Sequence, residues 1–88
     1  MRELLDLINN CKVNKTRCGY IVKNGTGETI GRFSAGDEAE FSGAVYAAIY
    51  DYIESRATKY WGCWEYLNAV FEAIDRRAEQ YAAVYFKY

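Results

Sequence analysis

Cys18-Gly19-Tyr20-Ile21-Val22-Lys23-Asn24-Gly25-Thr26-Gly27-Glu28-Thr29-Ile30-Gly31-Arg32-Phe33 is the stretch that decides the fold. Its two flanks are rich in β-branched and aromatic residues, which suit a pleated, half-buried surface. Its centre is polar and glycine-rich. Asn24-Gly25 is a strong hairpin signal, because Asn and Gly tolerate the positive φ that a tight turn between twisted strands requires. A β-hairpin is therefore expected over residues 17–34. Gly19 and Gly31 lie inside the strands, where a glycine marks either a bulge or a close approach to the backbone.

Upstream, Leu4, Leu5, Leu7, Ile8 and Cys11 recur at helical spacing and predict a short helix over residues 2–11. Asn9-Asn10 suggests where it ends. The basic segment Lys12-Val13-Asn14-Lys15-Thr16-Arg17 then reads as a connection.

Downstream, Ser34-Ala35-Gly36-Asp37-Glu38-Ala39-Glu40 reads as a helix entrance. Asp37 can accept from the unpaired first-turn amides, and Glu40 follows at the spacing of a capping box. Both acids suit the positive end of the helix dipole. The helix runs to about Arg56, with Phe41, Val45, Ala48, Ile49 and Tyr52 on one face. Its small residues Ser42, Gly43, Ala44, Ala47 and Ala48 allow close packing. Residues 57–62 form a connection, with Thr58 capping a short turn and Gly62 breaking it. A third helix is expected over residues 63–79, with Trp64, Leu67, Val70, Phe71, Ile74 and Ala78 on its apolar side. Tyr81-Ala82-Ala83-Val84-Tyr85-Phe86-Lys87-Tyr88 changes character, becoming aromatic and β-branched without a polar helical face. Residues 82–87 are expected to form a third strand beside the hairpin; the competing reading continues the helix to the end. The order is then α-β-β-α-α-β. This is a two-layer α+β domain spanning residues 1–88, with a three-stranded, mostly antiparallel sheet packed against two long helices.

Composition narrows the chemistry. The 88 residues hold nine tyrosines and no histidine. Histidine is the commonest general base and metal ligand near neutral pH, so Ser-His or Cys-His nucleophilic pairing is impossible. Gly25-Thr26-Gly27 lacks both the Gly-Lys-Ser/Thr ending and the following helix of a phosphate loop. Asp37 and Glu40 are explained by helix capping. The expectation is a protein that is not an enzyme and takes no cofactor. Cys11, Cys18 and Cys63 are read as small buried hydrophobes; the spacing of Cys11 and Cys18 is too wide for a zinc pair, so no metal is expected. Met1-Arg2-Glu3-Leu4-Leu5-Asp6 places acids where a signal peptide needs an apolar core, and no long apolar stretch occurs, so the expectation is a cytoplasmic protein without a membrane partner.

Charge is divided along the chain. Residues 1–34 hold six bases against three acids, a net +3, and residues 35–88 hold five against nine, a net −4. Glu65, Glu72 and Glu79 recur every seven residues along one helical stripe, with Asp75 beside it and Asp51 and Glu54 on the preceding helix. Glu72 and Arg76 stand at the i, i+4 spacing of a helical ion pair. Tyr46 and Tyr50 stand one helical turn apart, and Tyr60, Trp61, Trp64 and Tyr66 cluster around the interhelix connection. Fifteen aromatic rings exceed what so small a core can hide, so several are expected to face outward beside the acids, and such residues dominate contact hot spots. The candidate partner-binding set is Tyr46, Tyr50, Glu54, Tyr60, Trp61, Glu65, Glu72, Asp75 and Glu79.

In size, aromatic and acidic character and lack of a catalytic set, the chain resembles small phage-encoded inhibitors of the anti-CRISPR type. That resemblance, one of overall character and not of motif, implies direct binding to a host protein or nucleoprotein complex and blockage of its nucleic-acid site. Two other readings compete. Lys12, Lys15, Arg17, Lys23 and Arg32, with Tyr20 to stack on a base, suggest a small nucleic-acid-binding domain, although the sequence pI of about 5.4 disfavours nucleic acid as a partner. The same lysines also suit an edge strand that discourages aggregation. The aromatic patch alone suggests a homodimer.

Overall fold

The computed structural model describes residues 3–86. Helix α1 (Glu3–Asn9) leads into strands β1 (Lys12–Thr16), β2 (Gly19–Lys23) and β3 (Thr29–Phe33). Helix α2 (Glu38–Ala57), a 3-10 turn (Thr58–Tyr60) and helix α3 (Trp64–Phe86) follow. The fold is α+β, with a three-stranded antiparallel sheet in the order β1-β2-β3 and two long helices.

The element order is α-β-β-β-α-α, and it differs from the expected one in a single exchange. The third strand comes from Lys12–Thr16, not from the C-terminal segment, whose residues 82–86 continue α3; Lys87 lies outside the described residues. Strand β1 offers one buried side chain, Val13, among exposed neighbours, so its alternation is nearly silent in the sequence. It forms because β2 supplies a full ladder of partners, from Lys12 opposite Lys23 to Thr16 opposite Gly19. The two strands are joined by Arg17 and Cys18 alone. Gly19 has φ +153°, and a Cβ there would collide with the carbonyl oxygen of Phe33, so only glycine fits.

The C-terminal segment is helical because its aromatics are used at helical spacing. Ala82 is fully buried, and Tyr81, Tyr85 and Phe86 pack around it, while Ala83 and Val84 face out. Tyr85 and Phe86 join Tyr20, Phe33 and Phe41 in one aromatic cluster, with ring centroids from 4.9 Å (Tyr20–Phe41) to 6.2 Å (Tyr20–Phe86). Edge-to-face and tilted pairs of this kind add to the burial of the rings. Extending an established helix by two turns also needs no new nucleation.

The β2–β3 turn falls where expected, by a different device. Neither Asn24 nor Gly25 has positive φ; Gly27 does, at +89°. The Asn24 side chain is buried, and its Oδ1 accepts from Thr26 N (3.0 Å), Thr26 Oγ1 (2.8 Å) and Glu28 N (3.0 Å). It therefore organises the loop from inside. Both readings of Gly31 hold at once. The register shifts so that Val22 faces Gly31 while Lys23 faces Thr29, leaving Ile30 as the extra residue of a bulge. A Cβ on Gly31 would stand 2.7 Å from the Ala48 Cβ of α2. Of the small residues of α2, Ala48 thus serves close approach of the sheet.

Helix α2 begins as read: Glu40 N donates to Asp37 Oδ1 at 2.8 Å, and Glu40 Oε2 accepts from Gly36 N at 3.1 Å. Its buried residues are Phe41, Val45, Ile49, Ile53 and Ala57, a strict four-residue repeat. They meet Leu67, Val70, Ile74 and Ala78 of α3, Leu4 and Ile8 of α1, and Val13, Tyr20 and Val22 of the sheet in one core. Helix α1 is tied down at Leu4, whose amide donates to the Tyr66 hydroxyl at 3.2 Å. Among the described residues no helix is long and apolar enough to cross a membrane.

Candidate functional site

On α2, Gly31 and Asn24 of the sheet layer meet Ala48 and Tyr52. Tyr46 and Tyr50 each precede one of these by two residues. On a helix of 3.6 residues per turn that is a rotation of about 200°, so both rings turn away from the sheet. They are half-buried and stack on one another with centroids 6.2 Å apart and planes 12° from parallel. Phe71 of α3 continues the row, 6.1 Å from Tyr50. The sequence placed Phe71 in the core; it is half-buried at the seam between the two helices.

Acids flank this row. Burial raises the Tyr46 phenol pKa above its ordinary value, and the charge of Asp75 and the neighbouring Tyr50 push it the same way. Asp75 is therefore close enough to act on Tyr46. Asp75 and Glu79 of α3 line a shallow, open groove with Glu38, Ala39 and Ser42 of α2. Glu38 was missed in the sequence because it also reads as an ordinary first-turn acid; only the antiparallel pairing of α2 with α3 brings it opposite Glu79. Glu54 follows Tyr46 and Tyr50 on the same stripe, and Glu72 and Glu65 precede Glu79 at seven-residue steps; all three are exposed. Among the described residues the one ion pair is Lys59–Glu3, so Glu72 and Arg76 do not close. The acids of the seam thus have no cationic partner among these residues.

Two members of the candidate set lie elsewhere. Tyr60 packs edge-on against Tyr66 at 4.9 Å, and its hydroxyl donates to Glu3 Oε2 at 3.3 Å. The same carboxylate binds Lys59 Nζ at 2.8 Å, which lowers the Glu3 pKa. Tyr60 therefore fastens the α2–α3 connection to α1. Trp61 is 50% exposed and stacks edge-on with Trp64, 5.8 Å away and 58% exposed, at the tip of the helical hairpin. Trp64 was expected on the apolar side of its helix; as the first residue of α3 it lies beyond the layer it would have packed on.

The tyrosines as a group turn inward more than expected. None of those described is fully exposed: Tyr20 and Tyr66 are buried and the others half-buried. The aromatic cluster at the C-terminal end of α3 absorbs rings that composition alone assigned to the surface. The cysteines divide. Cys11 is buried, and burial pushes its thiol up to about 11 against the opposing pull of Arg77; Cys18 and Cys63 are exposed, contrary to the expected burial of all three. No three His, Cys, Asp or Glu side chains among the described residues converge to hold a metal ion. Compared with protein-family models, curated proteins and solved structures, this chain matches none.

Proposed function

We propose that this protein is a non-enzymatic binding module of the cytoplasm whose α2–α3 seam docks on a basic surface of a host protein or nucleoprotein complex and blocks its nucleic-acid site, as in small inhibitors of the anti-CRISPR type. The observation that carries this reading is the row Tyr46, Tyr50 and Phe71 flanked by Asp75, Glu79 and Glu38, acids with no cationic partner among the described residues. Half-buried rings held rigidly by stacking supply contact area at low entropy cost. Carboxylates around them speed encounter with a basic groove and fix orientation. Glu54, Glu65 and Glu72 extend the negative field along the same helices, and Trp61 extends the aromatic surface at the tip.

The test is capture from a host lysate with the wild type and with D75K/E79K, each checked for unchanged helical circular dichroism. The expected result is a retained complex that is released by added nucleic acid and lost with the double variant. Retention by the double variant, or a complex indifferent to nucleic acid, removes the reading.

A further inference from the structure

The three strands, Lys12–Thr16, Gly19–Lys23 and Thr29–Phe33, carry Lys12, Lys15, Lys23 and Arg32 and no carboxylate. Register decides where these cations point. Val13 faces Val22, Val22 faces Gly31, and Tyr20 faces Phe33, all on the side that meets the helices. The alternate rungs therefore point away from the core: Lys12 opposite Lys23, and Asn14 opposite Ile21 opposite Arg32. Arg17 in the adjoining turn adds a further exposed cation.

Two amines directly opposite across a strand pair repel and weaken the sheet. Nothing among the described residues relieves Lys12 and Lys23, since the one ion pair is Lys59–Glu3 at another end of the molecule. Protection of a sheet edge does not account for them. That edge is already covered by α3, where Tyr85 donates to the Val13 carbonyl and Arg77 Nε to the Cys11 carbonyl, each at 3.0 Å. Lys23 also lies on the central strand, away from both edges, while Arg32 lies on β3, the opposite edge strand.

We propose that the outer face of the sheet is a second binding surface, for the phosphate backbone of nucleic acid, read without regard to base sequence. Concentrated cations without internal partners supply the phosphate contacts, and counterion release drives the association. Among the described residues the face carries no ring to stack a base: Tyr20 and Phe33 stack on each other on the opposite, helix-facing side of the sheet, 5.5 Å apart. Base-stacking recognition of single strands is thereby excluded from this face, and backbone recognition remains. The proposal concerns a different face from the α2–α3 seam and stands or falls separately.

The experiment is fluorescence anisotropy of a short labelled DNA duplex of mixed sequence, titrated with the full chain at several salt concentrations. With about four phosphates neutralised, affinity should fall on the order of a hundredfold between about 50 and 200 mM salt. K12E/K23E/R32E should weaken binding at least tenfold, the charge-preserving K12R/K23R should retain it, and D75N/E79Q should bind no more weakly than wild type. A second duplex of unrelated sequence should bind equally. Absence of binding at the lower salt, indifference to the triple substitution in a variant with native circular dichroism, or loss of affinity on changing the sequence overturns the proposal. So does sedimentation showing a wild-type oligomer that K12E/K23E/R32E disperses, which would mean that a second copy covers the face.

Discussion

The hydroxyl of Tyr85, near the end of α3, donates to the main-chain carbonyl of Val13, seventy-two positions earlier in edge strand β1, at 3.0 Å. This bond closes the edge of the sheet with a helix. The carbonyl of Cys11, two residues before Val13, is met in the same way by Arg77. Replacing Tyr85 by Phe keeps the ring in its aromatic cluster and leaves the carbonyl without its partner. Urea unfolding should find Y85F less stable by about 1 kcal/mol, and R77M/Y85F should expose the β1 amides to faster hydrogen exchange than either single variant does.

Gly31 is a point of close approach between the sheet and α2. Alanine there places a methyl 2.7 Å from the Ala48 Cβ, so G31A should cost about 1–3 kcal/mol, the usual range for overpacking. A48G in the same chain should recover part of that loss, after allowance for the helix cost of glycine of about 1 kcal/mol. Thermal unfolding of the two single variants and the double variant measures the coupling, and strict additivity would contradict the close contact.

Asn24 holds three hydrogen bonds of the β2–β3 turn on one oxygen. N24A should destabilise the fold by about 1–3 kcal/mol, because it leaves the partly buried amides of Thr26 and Glu28 without an acceptor. Asp retains the oxygens, so N24D should lose less in the same chemical denaturation series. Equal losses would mean that the side-chain oxygen is not what organises the turn.

Thiol chemistry separates the three cysteines. Cys18 and Cys63 should react with an aromatic disulfide reagent in the native protein, and Cys11 only after denaturation. Cys11 also has a defined pH signature. Its thiol stays protonated in the fold up to about pH 11, whereas an unfolded thiol ionises near about 8.5. The native state therefore holds the proton more tightly, and the resulting stability is whole below about pH 8.5 and is lost as pH rises through the folded value. The stability advantage of wild type over C11A should shrink across that interval, as read by denaturant midpoints at stepped pH.

How far the sequence reached depends on whether the signal was local. The hairpin of β2 and β3, the Asp37 entrance to α2, the repeat Phe41, Val45 and Ile49, and the heptad spacing of Glu65, Glu72 and Glu79 are all written within a few residues of themselves. Periodicity and turn chemistry act at that range, so the chain alone determined the α+β class, the two long helices, and the acidic stripe. The tertiary structure decided what depends on partners far away. Lys12–Thr16 is a strand because β2 lies beside it, Tyr81–Phe86 is helical because Tyr20 and Phe41 receive the rings of Tyr85 and Phe86, and Tyr60 is occupied because Glu3 reaches it. The seam of Tyr46, Tyr50, Phe71, Asp75 and Glu38 exists only once α2 and α3 lie side by side. A side chain's burial is set by the element packed against it, and composition counts rings without knowing which of them will meet.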